Sequence, residues 1–115
     1  MKKGEIFIGT KRSKDAAKHP IIFLEGQNDN SFIGAVLTHG KSERYPDNIP
    51  MQAEYFMEGY EFKFNDTYLV GKRFVKPQEW GPFTKVGQLT KKGVNFIDSC
   101  VKQYLPESWD DYINR

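Results

Sequence analysis

Lys18-His19-Pro20-Ile21-Ile22-Phe23-Leu24, then Glu25-Gly26-Gln27-Asn28-Asp29-Asn30, then Ser31-Phe32-Ile33-Gly34-Ala35-Val36-Leu37-Thr38-His39: this stretch decides the fold. Two apolar runs of strand length, rich in β-branched and aromatic residues, flank a polar segment of Gly, Asn and Asp. That pattern predicts a β-hairpin. The chain's two histidines, His19 and His39, stand at its outer ends. Antiparallel pairing about the polar turn brings His19 toward Thr38 and His39. A hydroxyl and two titratable imidazoles then meet at one end of the hairpin.

Outward from the hairpin, Glu5 to Thr10 reads as a first strand. Lys11 to Lys18 is a basic segment, with Lys11, Arg12, Lys14 and Lys18 set against Asp15. It is either a solvated loop or an electropositive rim beside His19. Residues 40–50 hold two prolines and a glycine, which predicts an irregular loop. Met51 to Met57 reads as a strand or a short turn region. Tyr60 to Phe64 alternates apolar and charged residues in the manner of a half-buried strand. Thr67 to Val75 alternates too, with Tyr68, Val70, Lys72 and Phe74 on one face and Leu69, Gly71, Arg73 and Val75 on the other. Residues 76–82 read as a loop, and Phe83 to Leu89 as a last strand. Thr90 is a good N-cap. Val94, Ile97, Val101 and Tyr104 recur at helical spacing, and Pro106 ends that helix. Glu107 to Ile113 is suited to a short terminal helix. Short strands followed by one helix predict a mainly β fold, a small strongly bent barrel with a C-terminal helix.

The chain of 115 residues fits a single domain over 1–115: barrel about 4–89, helix about 90–104, terminal segment 105–115. A formal charge of +2 is far from the basic balance of a protein that relies on many phosphate contacts. Cys100 is the one cysteine, so no internal disulfide forms, and its place in the helix reads as a structural thiol. With two His and one Cys, no ligand-spaced metal cluster is expected, and no cofactor. No secretory leader or membrane-length apolar run is read, so a cytoplasmic location is the expectation.

The order of these features resembles the PemK/MazF family of toxin endoribonucleases over nearly the whole chain. Gly4-Glu5-Ile6-Phe7 is similar to that family's opening Gly-Asp-Ile strand. His19-Pro20-Ile21-Ile22-Phe23-Leu24 stands where it has Arg-Pro-Ala-Val-Val-Leu. Val36-Leu37-Thr38-His39 is similar to its strand ending in Thr-Thr or Thr-Ser, and Val86-Gly87-Gln88-Leu89-Thr90 to its Ile-Gly-x-Leu-Ser helix entry. The resemblance implies an SH3-like barrel, a homodimer, cleavage of single-stranded RNA without a metal, and an antitoxin that masks the site. The departure is at His19, where the family carries an active-site Arg. The basic loop before it also differs.

Metal-free RNA cleavage uses the substrate's own 2′-hydroxyl as nucleophile. The protein must take that proton, protonate the leaving 5′-oxygen and stabilise the charged phosphorane. Histidine, with an ordinary pKa of about 6.5, suits the proton transfers. The candidate catalytic residues are therefore His19, Thr38 and His39, with Thr38 bonding a phosphate oxygen. Lys11, Arg12, Lys18, Lys41 and Arg73 are the candidate RNA contacts. Each has a plainer account: a capping or surface His19, a turn residue at His39, a good strand former at Thr38, a solvated face for Arg73. Trp80 and Phe83 either stack on bases or pack internally. Lys91 and Lys92 lie in the first helical turn, where the helix dipole disfavours cations, so they either hold a phosphate or stay solvated. Two other functions compete with the nuclease: a non-catalytic SH3-like binding module, and a same-fold toxin acting on a protein such as gyrase through the Trp109-Tyr112-Ile113 segment.

Overall fold

The organising hairpin is built from β2 (Ile21–Asn28) and β3 (Ser31–His39), paired antiparallel with Ile21 opposite Val36 and Phe23 opposite Gly34. The computed structural model describes residues 1–9, 19–28, 30–39, 47–62, 64, 66–77, 82–108, 111–112 and 114. The polar segment expected as a turn is mostly strand: Glu25 to Asn28 continue β2, and Asn28 pairs with Ser31. Two register shifts, at Phe23/Glu25 and Gly26/Asn28, twist this solvent-facing tip. Ser31 Oγ donates to Gln27 Oε1 at 2.7 Å, and the Asn30 N–H donates to Asn28 Oδ1 at 2.7 Å, so polar side chains close the tip that sequence composition alone read as loop.

β1 (Glu5–Gly9) lies on the other side of β2, and β7 (Phe83–Gln88) on the far side of β1. The remaining strands are β4 (Ile49–Pro50), β5 (Thr67–Leu69) and β6 (Phe74–Pro77). The order is β4-β5-β3-β2-β1-β7, with β6 also on β3. The result is a mostly β fold, a seven-stranded antiparallel sheet that does not close, with one C-terminal α-helix.

The alternation over Thr67 to Val75 is one strand interrupted. Leu69 pairs with Leu37, Phe74 with Gly34, and the residues between them loop out. The face assignment survives the interruption. Leu69 and Val75 join the main core with Ile6, Ile22, Leu37 and Ile97. Val70 and Phe74 form a second cluster with Val36, which Tyr112 covers. Lys76, expected in a loop, is on β6 and buried.

Other expectations need correction. Ile49–Pro50 pairs with β5 despite the prolines, because an edge strand tolerates a residue that cannot donate. Residues 40–46 lie outside the described residues. For Met51 to Met57 the turn alternative holds, with a 3-10 turn at Ala53–Tyr55. Tyr60, Glu61, Phe62 and Phe64 form no strand; the Phe62 N–H donates to Val86 O at 2.6 Å, and the rings of Phe62 and Phe64 pack on Phe56. Alternation there reflects aromatic packing rather than a sheet ladder.

α1 (Lys91–Val101) starts where expected. Thr90 Oγ1 accepts from the Gly93 N–H at 3.1 Å and donates to Glu54 O at 3.1 Å, so one hydroxyl caps the helix and ties it to the 3-10 turn. The fit is close: a Cβ on Gly93 would lie 2.3 Å from Tyr55 O. The helix ends at Val101, before Pro106, because the chain leaves to meet β6. Glu107 N–H donates to Arg73 O at 3.1 Å, and Val75 N–H donates to Glu107 O at 2.9 Å. Past it, Ser108 Oγ accepts from the Asp111 N–H at 3.1 Å, and Tyr112 sits edge-on against Phe74. Cys100 is free and partly buried against the main core.

Candidate active site

The site is read from the ladder at the base of the hairpin. Ile21 faces Val36, and the Leu37 N–H donates to Pro20 O at 2.9 Å. Proline has no N–H to return, so the last rung is one-sided and β2 begins just after it. His19 precedes β2 and stands one step past this rung, toward the end of β3 that carries Thr38. Alternation along β3 puts Thr38 on the face of Val36. On the other edge of β3, Thr38 pairs with Tyr68, and Tyr68 with Pro50. A hydroxyl and a phenol thus pair across β3 and β5, with the His19 imidazole just before β2. Directly opposed side chains are about 4.5–5.5 Å apart at Cβ. All three residues are half-buried.

His39 is next to Thr38 in the chain and therefore points to the other face. It pairs with the buried Thr67, whose Oγ1 is 3.4 Å from His39 Nδ1, and its ring stacks on Phe62 at 6.1 Å and 20°. His39 is thus on the face of β3 opposite Thr38.

Arg73 is elsewhere too. Its Nε donates to Tyr104 O at 2.7 Å, and Nη1 is 3.6 Å from Glu25 Oε1. It borders a groove with Lys3, Leu24, Asp98 and Lys102, where Lys3 and Asp98 pair at 2.7 Å. Lys11, Arg12, Lys18, Lys41 and Trp80 lie outside the described residues. Phe83 packs edge-on against Phe32 at 5.3 Å. The unfavourable charge of Lys92 near the helix start is answered by Glu54, 2.9 Å away, and this raises the Lys92 pKa.

Sequence reasoning missed Tyr68. The signal was present, since Tyr68 had been placed on one face with Val70, but its cross-strand partner was not legible from pattern alone. It also missed an open cleft of about 570 Å³ lined by Phe56, Tyr60, Phe62 and Phe64 with Glu54 and Glu58. Among the described residues no group of three His, Cys, Asp or Glu is placed to hold a metal ion. Among them, too, no helix is long and apolar enough to cross a membrane. Comparison with family models, curated proteins and solved structures gave no match.

Proposed function

We propose that this chain is a toxin-like endoribonuclease that cuts single-stranded RNA without a metal ion. The observation that carries the reading is the Thr38–Tyr68 pair on one sheet face, with His19 just before β2 at the same end of the hairpin. In the proposed step the 2′-oxygen attacks phosphorus and gives its proton to the His19 imidazole. The bond from phosphorus to the 5′-oxygen breaks, and that oxygen takes a proton from Tyr68 or water. Thr38 donates to a non-bridging oxygen, where negative charge builds up. The products are a 2′,3′-cyclic phosphate and a 5′-hydroxyl.

In this reading the bent sheet and helix correspond to an SH3-like barrel of PemK/MazF type. The protein acts in the cytoplasm as a homodimer, and an antitoxin masks the site. A second reading, a non-catalytic binding module, is favoured by the position of His39. With His39 on the face opposite Thr38, the site has a single histidine for two proton transfers.

The test is purified protein on an unstructured RNA, with His19→Ala alongside to expose contaminating nuclease. Cleavage that survives EDTA, yields cyclic phosphate and is lost in His19→Ala supports the nuclease. Equal cutting by both proteins, or none by folded wild type, rejects it in favour of the binding module.

A further inference from the structure

The aromatic cleft is a second surface, lined by none of His19, Thr38 and Tyr68. Of the large hydrophobic side chains exposed among the described residues, Met57 at 46% and Phe64 at 36% both line it. Exposed apolar groups gathered in one concavity mark a binding surface rather than chance exposure. Phe56 supports the floor, with Phe62 at 5.2 Å and Phe64 at 5.5 Å between ring centroids. Among the described residues that line it, the charged ones are Glu54 and Glu58. Glu54 is engaged by Lys92, whereas Glu58 is exposed and has no ion pair among the described residues. One of these rings already meets a cation, since Lys85 Nζ lies 5.1 Å from the Tyr60 centroid.

We propose that this cleft binds a basic peptide segment of a partner protein, with a lysine or arginine head group over the aromatic floor and its charge facing Glu58. Aromatic faces attract cations through the ring quadrupole, and a nearby carboxylate adds Coulomb attraction. The same carboxylates repel a phosphate backbone, so the cleft is not an extension of an RNA path.

The test uses decapeptide pools whose central residue is fixed as Lys, Arg, Glu or Leu, titrated into the full chain and followed by amide chemical shifts. The Lys or Arg pool is expected to shift Glu58, Tyr60 and Phe62 and to bind more weakly as salt rises. Glu58→Gln and Phe64→Ala, both at exposed positions, are each expected to weaken binding at least about fivefold. His19→Ala should leave it unchanged, which separates this site from the nuclease reading. Equal binding of the Glu or Leu pool, no binding by any pool, or displacement of the basic pool by poly(U) would overturn the proposal.

Discussion

His19, Thr38 and His39 make distinct predictions because β3 sends its neighbours to opposite faces. His19→Ala is expected to cost about 10²–10⁴ in cleavage rate, the range for a positioned proton-transfer group. Thr38→Ala removes a hydrogen bond to a charged oxygen and is expected to cost about 1.5–3 kcal/mol in kcat/KM. His39→Ala is expected to leave the cleavage rate nearly unchanged, as measured on the same RNA. A loss at His39 as large as at His19 would mean that the face assignment does not describe the working site. At this scale much was readable from the chain. The hairpin itself was legible, and its ladder runs to the rung at Pro20 and Leu37, next to His19 and Thr38. The alternation of a strand already sets His39 on the face opposite Thr38. Tyr68 was not legible, because which strand pairs with β3 depends on contacts distant in sequence.

Thr90 and Gly93 show how one helix is positioned. Thr90→Ala removes the cap to Gly93 and the bond to Glu54 O, and is expected to cost about 0.5–2 kcal/mol in urea unfolding. Gly93→Ala drives a methyl into Tyr55 O and is expected to cost about 1–3 kcal/mol despite alanine's better helix propensity. A stabilising Gly93→Ala would show that the helix does not rest on the 3-10 turn. The start of α1 was legible because capping is local. Its end was not, because pairing of Glu107 with β6 draws the chain away before Pro106. Tyr60 to Phe64 misled for a related reason. Period-two alternation reports which side is apolar, and aromatic packing satisfies it without a ladder.

Across the whole molecule, β1 and β7 are joined by side chains as well as backbone: Lys85 Nζ is 2.8 Å from Glu5 Oε2. The hydrogen bond from Lys85 holds the Glu5 carboxyl below its ordinary value of 4.5, against the opposing effect of burial. The sign follows directly. A depressed carboxylate stabilises the fold above its unfolded pKa, and that contribution is lost as pH falls through the folded one. Glu5→Gln is therefore expected to flatten the loss of stability below about pH 4.5, read from urea midpoints across acidic pH. An unaltered acid limb would show that the pair is not coupled to folding. The mainly β class with a terminal helix was legible in the run of short segments. The joining of β5 and β6 on one edge of β3 was not, since the residues looping out between them carry no signal of where the chain returns. That edge has a further consequence. With β2 along one side from Ser31 to Val36 and β6 then β5 along the other, most of β3 is an interior strand. Its amide protons reach solvent only when neighbours on both sides part together, so deuterium uptake is expected to be slowest there and faster in the outermost strand β4. Thr38, past the last rung to β2 and held from the β5 side alone, is expected to exchange sooner than the middle of the strand.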